Sequence, residues 1–79
     1  MNFDERWLLV LLAIEGERTE HALERLRKNF YHLWKVFEEA RCDPSLIEEW
    51  SQAPERSQGW MKARQLDEGL EVLRVALSD

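Results

Sequence analysis

Cysteine occurs once in the 79 residues, at Cys42, so no internal disulfide can form and nothing points to an oxidising compartment. Cys42 is expected to be a small apolar filler near a helix end. Glycine (three) and proline (two) are scarce, and Gly16, Pro44, Pro54 and Gly59 act as punctuation between longer uninterrupted segments. Long apolar runs are missing too. The longest, Trp7–Ile14, falls far short of the roughly 20 residues that span a bilayer. The first residues are acidic where a signal peptide would be basic, and no small-residue cleavage site follows. A cytoplasmic protein without membrane contact is expected. The sequence has no internal repeat, low-complexity tract or linker.

The signatures of catalysis are also missing. There is no glycine-rich phosphate loop, no CxxC, and no Ser or Cys with a His at a useful spacing. His21 and His32 share a helix face, but eleven residues of helix separate them by about 16 Å, too far for one metal ion. Glu17, His21 and Glu24 at i, i+4 and i+7 could meet an ion, yet such exposed sets are usually solvated. The pairs Glu38-Glu39 and Glu48-Glu49 point to different sides of their helices and make no carboxylate dyad. A deep pocket is not expected in so small a core. Neither enzyme activity, nor a cofactor, nor a small-molecule substrate is expected.

What the chain does carry is helical patterning. Phe3, Trp7, Val10 and Ile14 recur at helical spacing within 3–15, with Leu8, Leu9, Leu11 and Leu12 on the other faces. Residues 17–42 place Leu23, Leu26, Phe30, Leu33, Phe37 and Ala40 at alternating steps of three and four, an a/d seam uninterrupted by Gly or Pro. The spacing predicts one continuous helix. Asp43-Pro44 then ends it and opens a third helix over about 44–52, with Asp43 as N-cap and Pro44 at the first helical position. Residues 53–59 are expected as a loop. A last helix over about 58–78 bears Ala63, Leu66, Leu70, Leu73 and Leu77 on its seam. Gly69 within it costs about 1 kcal/mol relative to Ala, which points to a neighbouring backbone close by. The fold expected is all-α, a small three- to four-helix bundle with a long central heptad-patterned helix, in one domain over 1–79.

Contact surfaces follow from what such a bundle leaves over. A first helix apolar on every side needs cover on every side, and a chain this short often completes its core with a partner. Trp7, Leu8, Leu11 and Leu12, with the off-seam Val72 and Val75 beside Ala76, are therefore the expected protein interface, and a homodimer its simplest form. The four Trp residues fit hot spots, although most Trp in small domains are core anchors.

The second helix carries a different asymmetry. From Arg25 to Lys35 there is no acid, while Arg25, Arg27, Lys28 and Lys35 surround Tyr31 and His32. Such a stretch could meet phosphates, and 19–40 can be written as a helix-turn-helix in which Leu26 closes one helix and Asn29 caps the next. A net charge of −5 argues against a nucleic-acid-binding domain. An ordinary solvated face with pairs such as Glu24–Lys28 is the simpler account. The acid clusters Glu15–Glu24 and Glu38–Glu49 allow a third alternative, an acidic inhibitor of the kind phages use, occupying a nucleic-acid site on its target. The preferred expectation is a protein-interaction module acting as adaptor, regulator or inhibitor.

Overall fold

The computed structural model describes residues 17–78, which form four helices: α1 (Glu17–Asn29), α2 (Tyr31–Cys42), α3 (Ser45–Ser51) and α4 (Gln58–Leu77). No strand occurs among the described residues, and the all-α bundle is as expected. The predicted first helix, with Trp7, Leu8, Leu11 and Leu12, lies outside the described residues.

The expected continuous central helix is broken at Phe30, whose backbone leaves the helical region at φ −138° and ψ 55°. The Phe30 N–H still donates to the Leu26 carbonyl at 2.8 Å, and the Phe30 carbonyl accepts from both Leu33 and Trp34 at 2.9 Å. Tyr31 and His32, the first residues of α2, both lie at exposed positions. Neither glycine nor proline causes the break. Asn29, Phe30, Tyr31 and His32 are four successive residues of low helix propensity, together about 2 kcal/mol poorer than alanines.

Both α1 and α2 pack against α4. Ala22 and Ala76 line one cleft, Leu33 lies against Gly69, and Glu39 reaches Lys62. Positions on α4 fall as positions on α1 and α2 rise, so both helices follow one antiparallel track along α4. A helix-turn-helix joins its helices through a turn of three or four residues, whereas Phe30 alone separates α1 from α2. The expected boundaries of that motif are also replaced: α1 continues through Leu26 to Asn29, and α2 begins without a side-chain cap.

The core runs along this track. Ala22 and Leu26 of α1, Leu33, Val36, Phe37 and Ala40 of α2, and Leu66, Leu70 and Leu73 of α4 are buried, joined by Trp50 of α3. The expected seam is corrected at one end. Leu23 is only partly buried and Phe30 is 37% exposed, while Ala22 and Val36 take core positions. Leu26 and Leu33, on either side of the break, are nevertheless both buried.

α3 has seven residues, too few to persist alone. Trp50 holds it, packed against the first turn of α4. An added Cβ at Gly59 would lie 3.6 Å from the Trp50 ring and 2.8 Å from the Ala53 Cβ, so glycine is what lets α4 start this close. The helix begins at Ser45 with Pro44 at its cap, one residue later than expected. The Asp43 carboxylate still accepts from the Ser45 N–H at 3.3 Å and the Ser45 hydroxyl at 2.6 Å. Ser57 caps α4 by accepting from the Trp60 N–H at 3.2 Å. Before it, the Ser57 N–H closes a turn on the Pro54 carbonyl at 3.0 Å, with Arg56 at φ 69°.

Candidate interaction surface

Turning by about 100° per residue from Leu26 on α1 and from Leu33 on α2, Lys28, Tyr31 and Lys35 lie farthest round from these buried positions, with Arg25 and His32 to one side. All five are exposed. The sequence singled them out as one stretch, and Arg25 and Lys28 also line, with Ala76 of α4, the cleft described below. Arg27, exposed as well, lies to the side, as does the half-buried Trp34.

Glu24 opens this face and neutralises part of it. Its carboxylate accepts from the Arg27 Nε at 3.1 Å and from a second guanidinium nitrogen, and Lys28 Nζ stands 3.8 Å away. The expected Glu24–Lys28 pair is present, with Arg27 the nearer partner. The Arg27 hydrogen bond holds the Glu24 carboxyl below its ordinary pKa, with Lys28 adding to the effect, and Glu24 in turn raises Arg27.

At the other end the acids are engaged elsewhere. Glu38 pairs with Arg41 at 2.7 Å, and both Glu39 carboxylate oxygens accept from Lys62 Nζ at 2.9 Å. Lys35 could have met either acid at i+3 or i+4. Instead its ammonium lies 5.9 Å from the centroid of the Tyr31 ring. Tyr31 in turn stacks on Trp34 with centroids 5.6 Å apart and planes 25° off parallel, while keeping 55% of its surface exposed. With Phe30 at 37%, the break thus leaves aromatic surface in water.

The other expected interface residues are arranged differently. Val72 and Ala76 are not on an outer face; both are partly buried against the core, because α4 meets α1 and α2 over a broad stripe. Val75 is exposed at 47%. A shallow cleft of about 340 Å³, lined by His21, Ala22, Glu24, Arg25, Lys28 and Ala76, lies between α1 and the end of α4. Cys42 ends α2 exposed and is not the apolar filler expected.

The tryptophans divide between two roles. Trp50 is core, whereas Trp34 and Trp60 are half-buried, the latter with the Arg64 guanidinium 4.9 Å from its ring centroid. The exposure of Phe30 beside the half-buried Trp34 was missed in the sequence, where Phe30 reads as seam. The run of poor helix formers at 29–32 was the available signal. No group of three or more His, Cys, Asp or Glu among the described residues is placed to hold a metal ion. No helix among them is long and apolar enough to cross a membrane.

Compared with family models, with curated proteins and with solved structures, the chain matches none.

Proposed function

We propose that the protein is a binding module that recognises another protein through the outward face of α1 and α2, acting as an adaptor, regulator or inhibitor in the cytoplasm and carrying out no catalysis. The observation that carries this is the exposed Tyr31 ring stacked on Trp34 beside exposed Phe30. Tyr, Trp and Phe are enriched where proteins meet, and a stacked pair offers broad apolar area at low entropic cost. A second copy of the chain is the first partner to test, since a domain this small gains most by sharing surface.

Nucleic acid is the second reading, favoured by the cations around Tyr31. A single strand would stack bases on that ring and place phosphates on Arg25, Lys28 and Lys35. The test is capture of the tagged chain and its Tyr31→Ala variant from host lysate, with and without nuclease. Protein recovery that survives nuclease and falls with Tyr31→Ala is expected. Retained nucleic acid, with proteins lost on digestion, would refute the proposal in favour of the second reading.

A further inference from the structure

Charge is segregated along this chain. Residues 25–37 hold four of its eleven cations and none of its sixteen acids, leaving seven cations against sixteen acids elsewhere. The fold maintains that separation, because Glu38 and Glu39, the acids nearest Lys35, are bound to Arg41 and Lys62. Lys35 is consequently held beside an aromatic ring and no carboxylate lies within ion-pair distance of it among the described residues. Lys28 shares the Glu24 carboxylate with the closer Arg27. Lys28 and Lys35 are seven residues apart, one on each side of the break at Phe30, and both are exposed. Tyr31 lies between them.

We infer that this face docks an acidic amphipathic helix of the partner protein. Carboxylates on one side of that helix would meet Lys28 and Lys35, His32 would donate to a third, and an apolar side chain would lie on the Tyr31–Trp34 stack. The inference rests on the protein-binding function proposed above and supplies the chemistry of the partner. A duplex or single strand would also satisfy the cations, but the acid excess on the rest of the molecule repels an extended polyanion at every point beyond this short face. A compact acidic helix touches the face alone.

The experiment titrates the full chain against three fluorescein-labelled probes by anisotropy: an amphipathic peptide with glutamates flanking leucines, the same peptide with glutamine for glutamate, and oligothymidylate of similar length. The glutamate peptide is expected to bind, and the glutamine peptide about tenfold or more weakly. The Lys28→Glu/Lys35→Glu double variant should lose about tenfold or more for the glutamate peptide, and Tyr31→Ala should weaken both peptides. All three positions are exposed, and unchanged circular dichroism will show that the variants remain folded. Equal binding of the two peptides, still dependent on Tyr31, overturns the acidic partner and leaves the protein-binding function standing. Binding of neither peptide overturns the inference. Tighter binding of oligothymidylate, lost in the same variants, overturns both.

Discussion

Replacing glycine by alanine at two positions of α4 should move stability in opposite directions. Inside a helix the exchange gains about 1 kcal/mol, because alanine loses less backbone entropy and hides more of the backbone. At Gly69 nothing opposes that gain. The added Cβ would meet the Leu33 Cβ at 3.6 Å and the Leu33 carbonyl at 3.7 Å, both ordinary contacts. The sequence-based expectation of a close neighbour is thus met by α2, but with room for a methyl group. At Gly59 the new carbon would lie 2.8 Å from the Ala53 Cβ. Separating them means moving the 53–57 segment or the start of α4, at a cost of about 1–3 kcal/mol. Gly59 also lies in the first turn, where the propensity gain is only partly realised. The net expectation is about +1 kcal/mol at Gly69 and a loss of about 1–2 kcal/mol at Gly59. For a domain of this size each kcal/mol shifts Tm by about 4–8 °C. Thermal unfolding followed at 222 nm resolves shifts of that size. A clear loss of stability on Gly69→Ala would refute the packing of α2 against α4, and a gain on Gly59→Ala would refute the tight seat of α4 on α3.

The two seam phenylalanines should separate in the same assay: Phe37→Ala removes a fully buried ring and should cost about 3–5 kcal/mol, whereas Phe30→Ala, at 37% exposure, should cost under about 1 kcal/mol. Equal losses would restore a continuous buried seam. Lys62→Ala breaks the link from α4 to Glu39 on α2 and removes a cation 5.4 Å from the Trp50 ring centroid; a loss of about 1 kcal/mol, partly suppressed by salt, is expected in urea unfolding. The depressed Glu24 pKa means that its carboxylate favours the folded state above the ordinary value of 4.5, and that this contribution disappears as pH falls through the lower folded value. Arg27→Ala should move the NMR titration midpoint of the Glu24 carboxyl up toward 4.5, and an unmoved midpoint would remove the assigned cause.

The helix ends were readable in the sequence because they rest on local chemistry. Asp43-Pro44 forces a boundary through a fixed proline ring and a short carboxylate. The Leu66, Leu70 and Leu73 stripe was equally legible, since helical spacing and burial coincide there. The break at Phe30 was not. A seam pattern records only the spacing of residues along the chain, and Leu26 and Leu33 are both buried although the helix between them is broken. Phe30 therefore read as core although it is half in water. Val72 misled for the opposite reason: the contact stripe of α4 is broader than one seam, so a residue off the seam is still covered. The basic stretch was visible as composition. That Glu39 is drawn away from it depends on Lys62 of α4, a contact that no local pattern encodes.

The most direct test of a protein-binding face is site-specific photo-crosslinking in intact host cells. A photoreactive residue would replace Tyr31 in one variant and Glu68, exposed on α4, in another. The account predicts a discrete protein adduct from position 31, resistant to nuclease and absent from position 68. Adducts to nucleic acid at position 31, or protein adducts of equal yield from both positions, would contradict it.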